Sequence, residues 1–241
     1  SSAVSHAKTL GYETTSARAP YATINVNLTT DANTKTMSSG TAFTTTIDGT
    51  NYRFVTIADV TSSNTGSSIP FDSVKIYEGT YITTRYTVDS SDIDQRFLLN
   101  NPNSDTSTLT VKIQTSASDT TTTTYTKATD ITQLSSNSTV YYLQETDSGK
   151  FEVYFGDGTV SKSLSDGNIV VLQYVVTNKT LSNGANTFTS PSSIDGVTTI
   201  TVTTVSGATG GSEAETIQSI KLNAPLDYAA QGRCVTIDDY K

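Results

Sequence analysis

Residues 138–160, "STVYYLQETDSGKFEVYFGDGTV", decide the fold class. Two apolar-alternating runs flank Asp147-Ser148-Gly149, and a second break, Gly156-Asp157-Gly158, closes the segment. Phe151, Val153 and Phe155 share one face at a period of two, the repeat of a half-buried strand. Asp and Ser make turns by bonding their own backbone, and Gly by reaching positive φ at no steric cost. The stretch therefore reads strand, turn, strand, turn.

The same alternation runs outward in both directions. "ATINVNL" (Ala22–Leu28) puts Ile24, Val26 and Leu28 on one face. "AFTTTIDGTNYRFVTI" (Ala42–Ile57) is two strands around Asp48-Gly49, a hairpin dipeptide that tolerates positive φ. "DSVKIYEGT" (Asp72–Thr80) is a strand with a turn at Gly79, and "YITTRYTV" (Tyr81–Val88) follows it. "STLTVKIQT" (Ser107–Thr115) aligns Leu109, Val111 and Ile113. "NIVVLQYVV" (Asn168–Val176) is apolar on both faces apart from Gln173, which predicts a central strand covered on both sides. "LSNGANTF" (Leu181–Phe188) reads as a loop around Asn183-Gly184, and "GVTTITVTTV" (Gly196–Val205) as the last strand. Between the halves lies a polar tract, "SASDTTTTTYTKATD" (Ser116–Asp130), expected to be an exposed strand or loop.

Composition agrees. Of 241 residues, 34% are hydrophobic and 16% charged; both are low, and Thr, Ser and Asn fill the gap. Threonine is β-branched and suits a pleated surface better than a helix interior. The expected architecture is mainly β, with antiparallel, sandwich-like sheets in two subregions and short helices at the ends. The expected divisions are 1–16 (the end of a helix and its exit, with Gly11 as cap), 17–115 (first β subregion), 116–205 (second β subregion, polar tract included) and 206–241. In the last, Ser212 and Glu215 satisfy a capping box, and Ala214, Ile217, Ile220 and Ala224 form an apolar stripe ended by Pro225. Thr236 then caps a new helix, with Asp238 and Asp239 in its first turn. Both ends are thus expected to continue into a longer polypeptide.

Charge and rare residues bound the function. The formal net charge is -8, with 15 scattered Lys and Arg, which argues against direct nucleic-acid binding. No apolar run has the length of a membrane span, and the first residues carry no signal-peptide core. One Cys (Cys234) precludes an intrachain disulfide, and with one His (His6) leaves too few donors for a His/Cys zinc site. His6 lacks the context of a catalytic triad, and Cys234 in "GRCVT" reads as a small buried hydrophobe. Asp157 with Glu145 and Glu152 lacks the spacing of a calcium loop, and "GATGGSEAET" (Gly207–Thr216) lacks the Lys of a phosphate loop. No catalytic, cofactor-binding or metal residue is expected. A carbohydrate-binding or adhesin-like β sandwich stays open as the alternative reading.

Three stretches in order carry a resemblance: "VYYLQETDSGKFEVYFGDG" (Val140–Gly158), "LSDGNIVVLQYVVTN" with "NGANTF", and "GGSEAETIQSIKLNAPLDYAAQGRCVTIDDY" (Gly210–Tyr240). Together with "HAKTLGYETTSARAP" (His6–Pro20) they resemble the baseplate wedge proteins of T4-like contractile-tailed bacteriophages, in the baseplate J-like group. The resemblance spans nearly the whole chain and implies the middle portion of a longer, non-enzymatic virion protein. Such a protein is assembled in the host cytoplasm into the tail baseplate. It pairs with a second copy of itself and with other wedge proteins, in a ring that passes the baseplate's change of shape to the sheath. Its main helical contacts fall outside this stretch, which leaves a monomer open for the stretch alone. What carries over is architectural: Phe155, Gly156, Asp157 and Gly158 as a hairpin end, and Asn223, Ala224, Pro225, Arg233, Val235, Thr236, Asp239 and Tyr240 as the lead into a following domain.

Overall fold

A computed structural model describes residues 13–216 and 219–223. Six strands come first: β1 (Tyr21–Thr29), β2 (Thr34–Met37), β3 (Ala42–Ile47), β4 (Thr50–Val55), β5 (Val60–Ser63) and β6 (Ser68–Glu78). Seven follow: β7 (Thr80–Thr87), β8 (Phe97–Leu99), β9 (Ser104–Gln114), β10 (Thr122–Lys127), β11 (Val140–Glu145), β12 (Phe151–Tyr154) and β13 (Ile169–Val176). β14 (Ile200–Thr209) is last.

Sheet membership follows that grouping, with one return. β14 pairs back on β1, giving a five-stranded sheet in the order β14-β1-β6-β4-β3, while β2 and β5 pair as a ribbon. β7 to β13 build a second sheet in the order β7-β13-β9-β10-β11-β12-β8. The second unit is therefore an insertion in the first. The chain leaves the first sheet at Gly79 and comes back after Val176. Sheet membership does not change at the polar tract, where a division at 115/116 was expected. Within that tract β10 pairs antiparallel with β9 and buries Tyr125. The break expected at Gly79 passes the chain from one sheet to the other, since β6 and β7 lie in different sheets.

The first unit forms as its alternation dictates. Ala22, Ile24, Val26 and Leu28 of β1 point into one core with Phe43, Phe54, Phe71 and Ile76. Met37 of the ribbon, with Ala185, Phe188 and Ile194 of the loop before β14, covers it. The hairpin between β3 and β4 turns at Asp48 (φ 48°) and Gly49 (φ 79°), two positive φ values in succession, as a type I′ turn requires.

The second sheet curls on itself. Its two halves are joined by one short parallel ladder, in which Thr126 and Lys127 of β10 pair with Val140 and Tyr141 of β11. Residues from both halves share one core: Val111, Ile113 and Leu172 on one side, Phe97, Leu99, Phe151 and Val153 on the other. The curl brings the two edge strands together. The Tyr86 hydroxyl of β7 donates to the Leu98 carbonyl of β8 at 2.6 Å, and the Tyr86 and Phe97 rings lie 5.7 Å apart. Burial pushes the Tyr86 phenol up, so it stays a donor. This near-closure removes pairing edges that an open sheet would expose. β13 lies between β7 and β9 and is buried on both faces, Leu172 toward this core and Val175 toward the first unit.

Near the C-terminal end, residues 219–223 are helical. The cap differs from expectation. Ser212 exchanges both backbone hydrogen bonds with Arg18 at 3.0 and 3.1 Å, so it sits in strand geometry and begins no helix. Thr216 takes the role instead, its Oγ1 accepting from the Ser219 amide at 3.2 Å. Glu215 holds the turn from outside, accepting from the Ser219 hydroxyl and the Asn223 amide group. Thr216→Ala should therefore cost about 1 kcal/mol of local helix stability, read as faster amide exchange at Ser219 and Ile220, while Ser212→Ala leaves those amides unchanged. The expected N-terminal helix with Gly11, the stripe positions Ile217 and Ala224, and the cap at Thr236 lie outside the described residues. Among the described residues no helix is long and apolar enough to cross a membrane.

Candidate functional site: the neck between the two β units

An inserted unit is only as well oriented as the chain passages that join it to its host. Three passages cross here: the segment 13–20, the exit at Glu78-Gly79 and the return at Thr177-Asn178. Buried polar side chains, Glu78 and Asp105 above all, bind them together through hydrogen bonds.

Glu78 ends β6 with its side chain turned inward and 1% exposed. Its Oε2 accepts from the Thr177 hydroxyl at 2.7 Å and from the Asn178 amide at 2.9 Å; its Oε1 accepts from Asn178 Nδ2 at 2.6 Å. One carboxylate thus ties the exit to the return. Its backbone amide donates to Pro20 O at 2.8 Å, which adds the third passage. A buried charge is tolerated only when hydrogen-bonded, and the three donors meet that condition.

Asp105, in the second unit, does the same for the incoming segment. Its Oδ1 accepts from Arg18 Nη1 at 2.9 Å and from the Ser107 amide and hydroxyl, and its Oδ2 accepts from the Ala19 amide at 2.8 Å. Ser16 reaches across as well, its Oγ accepting from the Thr106 amide at 3.0 Å. Burial first, and then the Asp105 charge, push the Tyr77 phenol up. Ala19 and Val55 of the first unit pack against Val175 of the second, with Tyr77 and Tyr81 flanking them.

Gly79 makes the crossing geometrically possible. It adopts φ +132°, its amide donates to Arg53 O at 2.8 Å, and a Cβ there would lie 2.2 Å from Val176 O. Exit and return backbones touch, and only glycine fits between them.

The residues singled out from sequence sit elsewhere. Phe155, Gly156, Asp157 and Gly158 follow β12 at the far mouth of the second unit. The Phe155 ring meets Phe97 and Tyr125 edge-on at 5.7 and 5.6 Å. Gly158 (φ +91°) donates its amide to Ser161 O at 3.0 Å. A Cβ on Gly156 would meet Ser161 Oγ at 1.9 Å and Ser161 O at 2.8 Å. Ser161 is buried and bonded to the Tyr142 hydroxyl, so Gly156→Ala should lower unfolding free energy by about 1–2 kcal/mol in a denaturant titration. Asp157 accepts from the Thr159 amide at 2.9 Å, and that bond holds its carboxyl below the usual carboxylate range. Its folded pKa lies under its unfolded one. The turn's stabilisation is therefore present above about pH 3.9 and is lost as pH falls through the lower folded value. Asp119, bonded to the Thr121 amide, behaves alike. The Thr159 and Thr121 amides should lose their hydrogen-bonded chemical shifts below that point, and Asp157→Asn should abolish the pH step at Thr159.

Asn223 ends the described helix. Ala224, Pro225, Arg233, Val235, Thr236, Asp239 and Tyr240 lie outside the described residues, as do His6 and Cys234. Sequence reasoning missed the neck. The available signal was small: "YEGT" places an acid and a glycine where an alternating strand should end, and "NSDTST" places an aspartate just ahead of the alternating run Leu109, Val111 and Ile113.

Comparison with known proteins locates the insertion. Residues 83–187 match the family described as the third domain of bacteriophage baseplate wedge protein gp6. That range is nearly the second unit, β7 to β13, with the return through the neck. The chain as a whole is similar to the baseplate wedge protein gp6 of Enterobacteria phage T4, 27% identical over 270 aligned positions. That alignment covers 100% of this chain and 39% of the relative, so the chain spans well under half of the curated protein it matches. The chain is thus similar to a baseplate wedge protein of a T4-like bacteriophage along its whole length, and its inserted unit matches that protein's third-domain family.

Proposed function

We propose that this chain is a structural segment of a phage tail-baseplate wedge, in which the neck holds the inserted β unit at a set angle to its host sheet. The observation that carries the reading is the match of the gp6 third-domain family to the inserted unit itself. The work of such a segment is interface geometry. A change of shape passes through a body only if the body is stiffer than its contacts, because a switch acts by favouring one packing of neighbours over another. The neck supplies that stiffness, and no chemistry is required of the chain.

In this reading the protein resides in the virion at the tail baseplate, after assembly in the host cytoplasm. It contacts other wedge proteins and, through parts beyond this stretch, a second copy of itself. It hands the baseplate's rearrangement on to the contractile sheath. Phe155, Gly156 and Asp157 line the mouth at the free end of the inserted unit, and Gly158 follows them. Asn223, Ala224, Pro225, Arg233, Val235, Thr236, Asp239 and Tyr240 lead into a following domain.

Immunogold electron microscopy of the parent particle, with antibodies raised against residues 1–241, tests the reading. Label confined to the baseplate end of a contractile tail is the expected result. Label elsewhere, or none on disassembled particles, sinks it. A saturable saccharide titration would then favour the adhesin reading.

A further inference from the structure

The curled sheet of the second unit is open at the end away from the neck. A groove of about 280 Å³ sits in that mouth. Val88, Phe97, Phe155 and Leu164 form its floor, and Asp89, Asp92 and Asp157 line its sides. Ile93 stands on the rim, 93% exposed, the most exposed large apolar side chain among the described residues.

Each feature restricts the occupant. The volume falls below the range of about 300–1,000 Å³ usual for small-molecule pockets, and fits one or two anchoring side chains. An aromatic floor meeting an exposed aliphatic rim is the layout of a protein-contact anchor site. The carboxylates decide the charge of what enters. Asp89 accepts from the Ser91 amide and hydroxyl, Asp92 from the Asp94 amide, and Asp157 from the Thr159 amide; no described residue gives any of them an ion pair. The nearby cation, Arg96, lies over the Tyr154 ring at 4.3 Å. A bare metal ion is a poorer candidate: among the described residues no group of three or more acids, His or Cys is arranged to hold one.

We propose that the mouth of the inserted β unit docks a segment of a partner polypeptide in which a Lys or Arg lies within a turn of an apolar anchor. The anchor enters between Phe97, Phe155 and Leu164 under Ile93. The cation then sits among Asp89, Asp92 and Asp157, and steers the encounter. The inference stands on the groove and holds whichever particle the chain belongs to.

The test uses the whole 241-residue chain, immobilised, and a random peptide library displayed on an unrelated carrier. Counter-selection is on the triple variant Asp89→Asn, Asp92→Asn and Asp157→Asn, which keeps every turn acceptor and removes three charges. Enriched peptides should carry a Lys or Arg within three or four residues of Leu, Ile, Met or Phe. A synthetic peptide of the enriched sequence should bind saturably, about tenfold more weakly to the triple variant and more weakly still at raised salt. Ile93→Ser, at a side chain 93% exposed, should weaken it about fivefold with charge intact. No enrichment over the triple variant, enrichment of peptides lacking a basic residue, or binding indifferent to Ile93→Ser would overturn the proposal.

Discussion

Gly79→Ala is expected to lower the unfolding free energy by on the order of 4 kcal/mol, the largest single-site loss foreseen at the neck. Two causes add. The residue adopts φ +132°, a conformation that L side chains rarely enter, at about 1–3 kcal/mol. The new methyl would also lie 2.2 Å from Val176 O, 2.7 Å from Val175 Cγ1 and 2.9 Å from the Val176 carbonyl carbon. Val176 cannot retreat, because it pairs with Thr80 on one side and Ser104 on the other. The clash therefore forces backbone movement rather than a rotamer change, which is the costly kind of overpacking. Gly49→Ala is the control: φ is +79° but nothing lies within 4 Å, so about 1 kcal/mol is expected. Urea titrations of the two variants should differ accordingly. Equal losses would mean that the exit and return strands are not pressed together.

Glu78→Ala is expected to cost about 3 kcal/mol. The substitution leaves the Thr177 hydroxyl buried without its acceptor, and removes two charge-assisted bonds to Asn178. Loss of the carboxylate also relieves its own desolvation, and Asn178 is exposed enough to find water, which keeps the figure below the sum of three bonds. Glu78→Gln, which retains one acceptor oxygen, should fall between, at about 1–2 kcal/mol. Amide exchange in the Glu78→Ala variant should quicken first at Asn178 and Lys179, on the return strand, and only later in the cores of either sheet. A variant as stable as the wild type would show that the carboxylate is a bystander.

These two residues also mark where the sequence stops being readable. The hairpin at Asp48-Gly49 and the one through Asp147-Ser148-Gly149 were legible because turn chemistry and alternation act within a dozen residues. Burial of β13 on both faces was legible because a run of Val, Leu and Tyr leaves no polar face. Strand partners were not. Alternation tells a strand which residues face inward but not whose core they enter: Tyr21 pairs with Tyr77 on one side and Thr209 on the other. The polar tract looked like a boundary because five threonines carry no periodicity, yet β10 needed only Tyr125 to anchor it. Ser212 met the capping pattern and lost the role to Thr216, because a long-range bridge to Arg18 claimed its backbone. Glu78 and Asp105 were invisible for the same reason. Their partners lie about 100 residues away along the chain, at separations of 100 and 87. Phe155 to Gly158 follow β12 as irregular chain, and nothing local disclosed that the curl of the sheet would set Phe155, Gly156 and Asp157 beside residues 88–97.

The central claim is that the neck makes the host sheet and the inserted unit one rigid body. Pulsed electron spin resonance tests it most directly. Spin labels would be placed on the exposed positions Thr50→Cys in the first unit and Ser118→Cys in the second, in a chain carrying Cys234→Ser. A single narrow distance distribution is predicted, broadening when Glu78→Ala is added. A broad or multi-peaked distribution in the parent chain would contradict the account, since the two units would then be hinged rather than locked.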